Sequence, residues 1–293
     1  MSTLQEKAYA KVNLTLDVGE LRADGYHDIS TIMQAITLAD EITIHVGTGE
    51  PWQVRCSEEA IPSGKKNLAY KAAKAFYDAA GTDPNGLTIE IEKRIPWEAG
   101  LGGGSADAAA VLRALNRHES NRFTDEELEK IGLQVGSDVP FCIRNVTSLA
   151  EGRGEVLTPV TPMPQCYYVL VKPDFSAPTS ELYQKLDRMN VPARPKTQQM
   201  IKTLEKGNLR EIGAGLLNVF EFPLLREHEE LYKIENALEN CGALGTSMTG
   251  SGSVMFGIFE HFDFAATASM SLMQVGYKTY LATNFDPNSD EDV

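Results

Sequence analysis

The chain has 293 residues, 42% of them hydrophobic and 23% charged, which is the usage of a globular protein with enough mass for one large domain or two lobes. A net charge of −14 argues against a nucleic-acid partner and repels anionic substrates at long range, so a phosphate site here must work through local amides and a few placed cations. No stretch approaches the ~20 apolar residues of a membrane span, and the first residues lack the apolar core of a signal peptide. Cys56, Cys142, Cys166 and Cys241 are scattered, none in a C-x-x-C pair, and neighbours such as Phe141 and Ile143 suggest buried thiols. The expectation is a cytoplasmic protein in a reducing compartment, with no structural zinc.

In chain order, the alternation over 8–18 predicts a strand. Lys11 and Asn13 lie two apart on it and share one face. Such a pair among Ala10, Val12 and Leu14 is either chemistry or the wet face of an edge strand. Residues 41–46 read as a second strand. Residues 67–80 read as a helix with Leu68, Ala72, Ala75 and Phe76 on one side. The alternating run 87–92 predicts another strand, and 108–115 is a strong helix former.

Between those two lies Pro96-Trp97-Glu98-Ala99-Gly100-Leu101-Gly102-Gly103-Gly104-Ser105-Ala106-Asp107, with four glycines in five positions. Glycines let a backbone approach a ligand, and the next helix aims its partly positive N-terminus at the same place. That arrangement suits phosphate; the alternative is a linker or tight turn. The loop is no P-loop, because Ser105-Ala106 stands where Lys and Ser/Thr are needed, and its glycine spacing does not fit a dinucleotide fingerprint.

Thr124 opens a capping box before a helix carrying Leu128 and Ile131. In Gly136-Ser137-Asp138-Val139-Pro140-Phe141, Asp138 is either a helix cap or a carboxylate placed to take an acceptor's proton. Three prolines at 159–164 mark the best lobe boundary. A buried strand is predicted over 166–171, and helices over 180–189, 197–205, 209–217 and 223–240. Late strands are predicted at 254–259 and 277–282, around a helix over 264–273. The small-residue segment 245–253 is either a glycine-rich hairpin or a close approach to a ligand or loop. The acidic tail 286–292 is expected to fray.

Four of these segments, taken together and in order, resemble the GHMP kinases, small-molecule kinases that include galactokinase, homoserine kinase and mevalonate kinase. The strand with Lys11 and Asn13 corresponds to the first family motif, the loop 96–105 to the second, and Thr249-Gly250-Ser251-Gly252 to the third. Within that family the chain is most similar to the kinases of 4-diphosphocytidyl-2-C-methyl-D-erythritol. The residues that choose this branch are Arg22-Ala23-Asp24-Gly25-Tyr26-His27, the segment around Asp138, Glu151-Gly152-Arg153-Gly154-Glu155, and Lys172-Pro173 with Thr179 and Tyr183. The similarity runs from about Lys7 to Phe259.

The resemblance implies an α/β (α+β) GHMP kinase fold of two lobes. A ribosomal-protein-like α+β ATP-binding lobe would span 1–160, and an α/β ferredoxin-like lobe 161–293. It implies transfer of the ATP γ-phosphoryl to a hydroxyl of a cytidine diphosphate-linked methylerythritol, in the methylerythritol phosphate route to isoprenoids. Asp138 falls on the catalytic base and Lys11 on its partner lysine. The loop 96–106 would hold the ATP phosphates, with Asn67 and Leu68 near the adenine. Tyr26, His27, Thr179 and Tyr183 would surround the cytidine, and Asn13 would touch the erythritol or its proximal phosphate. Magnesium is expected to arrive with ATP, with Ser105 the candidate protein ligand. The implied partner is the small molecule alone, for a monomer or homodimer. Two departures stand out. Ala106 replaces a frequent second serine and removes its hydroxyl, and Glu98 should face solvent or a cation rather than triphosphate.

Overall fold

The computed structural model describes residues 1–287, organised as two compact units. The first contains Met1–Ala10, Ala39–Trp97 and Gly102–Asn145; the second contains Lys11–Leu38, Glu98–Leu101 and everything from Val146 onward. The second unit therefore draws on both sides of the expected boundary at 160. The part of the acidic tail from 288 to 292 lies outside the described residues.

Two long strands open the chain, β1 (Ser2–Leu21) and β2 (His27–Val46), followed by β3 (Gln53–Cys56), α1 (Leu68–Ala80) and β4 (Leu87–Glu92). Then come α2 (Gly103–His118), α3 (Asp125–Leu133), α4 (Val139–Arg144), β5 (Ser148–Glu151), β6 (Val156–Pro159) and β7 (Tyr167–Lys172). The remainder is α5 (Thr179–Asp187), α6 (Thr197–Lys206), α7 (Leu209–Ala214), β8 (Leu217–Asn218), α8 (Glu221–Leu225), α9 (Glu229–Asn240), β9 (Gly245–Met248), β10 (Met255–Phe259), α10 (Phe262–Gln274) and β11 (Lys278–Thr283).

In the first unit the far half of β2 pairs antiparallel with β4, Ile44 opposite Ile89, and β3 runs parallel to β4. Four helices accompany them. Asn67 starts α1 by accepting the Ala69 N–H at 2.8 Å, and Gly81 ends it in the left-handed region. Both halves of the Thr124–Glu127 capping box are present at α3. Ala106, Ala108, Ala109, Ala110, Val111 and Leu112 on α2 are buried on all sides, so the small side chains let neighbouring elements approach this helix closely.

The second unit holds an antiparallel sheet in the order β11-β7-β10-β9, Val169 facing Gly257 on one side and Leu281 on the other. Its core joins Val169, Val171 and Phe259 to Leu231, Ile234 and Leu238 of α9. The near half of β2 pairs with β5, which forms a hairpin with β6, and β1 pairs parallel with β8 at Leu16 and Asn218.

Differences from the sequence reading have local causes. The helix expected over 209–217 stops at Ala214, and Leu217 and Asn218 instead extend to pair with β1. The single helix expected over 223–240 is two. His228 leaves helical conformation, and its ring stacks on Phe175 at 3.7 Å, a tertiary contact that no periodicity encodes. β2 begins at His27, far before the expected 41, because 31–36 is buried on both faces and so shows no alternation. Cys142 and Cys166 are buried as expected, whereas Cys56 and Cys241 are half-buried; none of the four is in a disulfide.

Candidate active site

In the second unit, Lys11 and Asn13 are buried on β1, with 4% and 1% of their surface exposed, so the wet-edge alternative does not describe them. The Lys11 ammonium donates to Asn13 Oδ1 at 2.7 Å and to the Gly100 carbonyl at 3.0 Å, and the Lys11 N–H donates to Leu101 O. Asn13 Nδ2 donates to Thr31 Oγ1 at 2.7 Å. The third motif meets the same atoms. The Gly250 N–H donates to Asn13 Oδ1 at 2.9 Å, and the Thr249 hydroxyl lies 3.3 Å from that oxygen and 3.1 Å from Gly100 O. Gly100 has φ +78°, and a Cβ there would sit 2.0 Å from the Thr249 carbonyl. Only glycine permits this contact between the loop and the turn after β9.

The rest of the loop belongs to the first unit from Gly102 on. Gly102, in the left-handed region, begins α2, and no side chain caps that helix. The N–H groups of Gly103, Gly104 and Ser105 are thus first-turn donors, the arrangement that binds anions. Leu68 packs on Gly104, where a Cβ would meet its Cδ1 at 3.2 Å, and Asn67 holds the preceding corner through Pro62 O. Ser105 Oγ lies beside Gly136, two positions before Asp138. Asp138 is half-buried at the start of α4 and makes no capping hydrogen bond with its side chain. Pro96 is half-buried, Ala99 and Leu101 are buried, Ala106 is buried where the second serine would stand, and Trp97 and Glu98 are exposed.

Beside Gly103 in the first unit, Lys93 bridges two buried carboxylates. Its ammonium donates to Asp40 Oδ2 at 2.5 Å and Asp107 Oδ2 at 2.8 Å, while Asp40 Oδ1 accepts the N–H groups of Arg94 and Ile95. Lys93 Nζ would lie 3.4 Å from a Cβ on Gly103. Burial pushes the Asp107 carboxyl up to about 7 against the pull of Lys93, because one ammonium shared between two carboxylates does not neutralise both. Asp107 Oδ1 has no hydrogen-bond partner among the described residues. The Lys93 ammonium moves upward, its own burial being outweighed by the two carboxylates.

The Arg22–His27 segment, in the second unit, is a tight turn. Arg22 pairs with Asp24 and Asp28, and the Arg22 N–H donates to Tyr26 O at 2.7 Å. Tyr26 is 54% exposed, with the Arg153 guanidinium 4.8 Å from its ring centre. His27 is buried: Nδ1 lies 3.0 Å from Gly19 O, Nε2 faces Asp187 at 3.5 Å, and the ring stacks on Tyr183 at 5.0 Å. At that spacing no base fits between His27 and Tyr183 themselves. Thr179 Oγ1 is 2.8 Å from Ser251 Oγ, which ties the start of α5 to the third motif.

Residues 67–145 match the family model described as the GHMP kinases N terminal domain, and residues 200–269 match the GHMP kinases C terminal model. A protein of Clostridium tetani named 4-diphosphocytidyl-2-C-methyl-D-erythritol kinase is 40% identical over 276 residues, covering 94% of this chain and 98% of its own. The chain belongs to this branch of the GHMP kinase family. A solved structure titled 4-(cytidine 5'-diphospho)-2C-methyl-D-erythritol kinase superposes with a TM-score of 0.80 at 32% identity, over 96% of this chain and 99% of that one. An L. major mevalonate kinase, at 21% identity and TM-score 0.72 over 97% of each chain, shares the fold. As a GHMP kinase the protein is an ATP-dependent small-molecule kinase with the mixed α and β fold expected. No described helix is long and apolar enough to cross a membrane.

Sequence reasoning passed over several residues around these motifs. Asn218 and Glu221 sit in the apolar run 216–222, where two polar side chains were the available signal. Glu221 is buried and accepts from the Ser247 hydroxyl and from the Met248 N–H at 2.9 Å. Burial pushes its carboxyl up to about 7, only partly countered by those bonds, and Glu235 adds to the rise. Its folded value exceeds its ordinary 4.5, so the folded state holds the extra proton. This contribution to stability is complete below about 4.5 and is lost as pH rises through about 7. Urea unfolding should show wild type losing on the order of 3 kcal/mol from this group between pH 5 and 8. Glu221→Gln should flatten that share of the slope; identical slopes would refute the assignment.

Proposed function

We propose that this kinase transfers the γ-phosphoryl group of ATP to the 2-hydroxyl of 4-diphosphocytidyl-2-C-methyl-D-erythritol, in the methylerythritol phosphate route. The observation that carries the reading is the buried network in which Lys11, Asn13, Gly100 and Thr249 join all three family motifs through hydrogen bonds. The bonds from the Lys11 ammonium to Asn13 and Gly100 orient it toward a migrating phosphoryl group, where a placed cation stabilises developing charge. Asp138, at the start of α4, takes the hydroxyl proton as general base.

The uncapped start of α2, with the loop 96–106 leading into it, holds the triphosphate, and Asn67 and Leu68 border the adenine. The donor set also suits magnesium delivered on the nucleotide, since Ser105 offers one hydroxyl there and the triphosphate supplies the other oxygens. The ion would neutralise charge on the transferring phosphoryl group. Tyr26 and Tyr183 supply aromatic surface for the cytosine, His27 backs Tyr183, and Thr179 at the start of α5 adds a hydroxyl beside them. Asn13 acts on the acceptor side of the transfer. The protein is proposed to be cytoplasmic and to work as a monomer or homodimer.

The test is phosphorus NMR of the purified protein with ATP, magnesium and the cytidylyl methylerythritol. A new phosphomonoester resonance together with ADP is expected; transfer only to homoserine or a mevalonate would overturn the reading. Tyr26→Ala should weaken acceptor binding about 5- to 150-fold, the scale of one lost base stack, with ATP-analogue binding nearly unmoved. Titration calorimetry showing equal losses for both ligands, or none, would place the cytosine elsewhere.

A further inference from the structure

Asn218 occupies a two-residue strand and is fully buried. Its amide nitrogen donates to two carbonyls, Met248 O and Gly250 O, each at 2.8 Å, and its Oδ1 accepts the Phe220 N–H at 3.0 Å. Every hydrogen-bonding position of the amide's nitrogen is thus used on the turn that follows β9. The strand carrying it is fixed to β1, since Asn218 is in register with Leu16 and the Val219 N–H donates to Leu16 O at 3.0 Å. β1 is also the strand that carries Lys11 and Asn13.

The two carbonyls held by Asn218 flank Thr249. The groups between them are the Thr249 hydroxyl and the Gly250 N–H, which reach Asn13 Oδ1 and Gly100 O. Those are the two acceptors that also hold the Lys11 ammonium. Asn13 Oδ1 therefore takes its position from both sides, and the direction of the Lys11 ammonium depends on where the turn sits. We propose that Asn218 is a positioning residue for phosphoryl transfer, setting the Thr249–Gly250 turn and through it the aim of Asn13 and Lys11. The inference rests on the reading of Lys11 given above. A structural role alone would lower the folded fraction; a positioning role lowers the rate per folded molecule.

Asn218→Asp keeps the shape and the acceptor for Phe220 but sets a carboxylate oxygen against two carbonyls. A displacement of about 1 Å at a reacting group costs up to ~10²-fold, so kcat per folded site should fall about 10- to 100-fold, with folded sites counted by ATP-analogue titration. The KM for ATP should change less than kcat, because most of the proposed nucleotide contacts lie on α1 and the start of α2 and only Gly100 of the loop meets this turn. Hydrogen exchange at the Gly250 amide should quicken. Thr249→Val should act through the same turn, so the double variant should lose less than the product of the single losses. If Asn218→Asp does not fold, Asn218→Ala, which admits water to both carbonyls, takes its place with the same expectations. A kcat within about threefold of wild type, unchanged Gly250 exchange, or a loss explained by folded fraction alone would each overturn the proposal. Wild-type turnover tests the substrate reading separately, and Gly250 exchange requires no substrate.

Discussion

Asp138→Asn is expected to lose about 10²- to 10⁴-fold in turnover, the usual size of a general-base contribution, with ATP affinity nearly unchanged. Asn has almost the same shape but cannot accept the proton. The side chain makes no cap for α4, and Pro140 already suits the first turn of that helix, so folding should survive the change. The check is kcat measured beside nucleotide binding and thermal unfolding. A variant retaining more than about a tenth of wild-type turnover would remove Asp138 from the chemistry.

Lys93→Met should produce the largest change in stability. It leaves Asp40, fully buried, and Asp107, 3% exposed, without the ammonium between them. Removing one partner from a buried ionic cluster costs about 3–5 kcal/mol. Lowering the pH should recover part of it, because Asp107 already titrates at about 7 and protonation relieves the repulsion. Asp107→Asn should be far milder, within about 1 kcal/mol, since it removes a carboxylate whose Oδ1 has no hydrogen-bond partner among the described residues. Urea unfolding at pH 7 and pH 5 separates the two variants. A Lys93→Met loss under about 1 kcal/mol would show that the cluster does not support the start of α2.

Much of the fold was legible because its signals are local. The Thr124 box, the alternation in 87–92 and the alanine run in α2 each specify an element from adjacent residues. The glycine loop was legible as a tight backbone approach ahead of a helix, and the structure shows that Gly100 and Gly102 take left-handed conformations there. What escaped depends on distant partners. β2 shows no alternation where both its faces are covered, and His228 breaks a helix to stack on Phe175. The Asp40–Lys93–Asp107 cluster joins three segments, none of which carries a pattern alone. Asn218 stands in a strand too short to have a period. Lys11 and Asn13 were ambiguous as a polar pair on one strand. Their burial and shared bonds are tertiary facts that neither the strand's pattern nor the family resemblance specified.

The bond between the Asn13 N–H and Thr249 Oγ1 joins residues 236 positions apart. At about 5–20 residues per second, a growing chain waits roughly 12–47 s between making the first of these residues and the second. Through that interval β1 is a strand whose alternate residues Ala8, Ala10, Val12, Leu14 and Leu16 end up buried and whose late partners do not yet exist. Such a segment invites edge-to-edge pairing with another nascent chain. Lys11 and Asn13 interrupt it with a charge and an amide, the composition that guards apolar strands against aggregation.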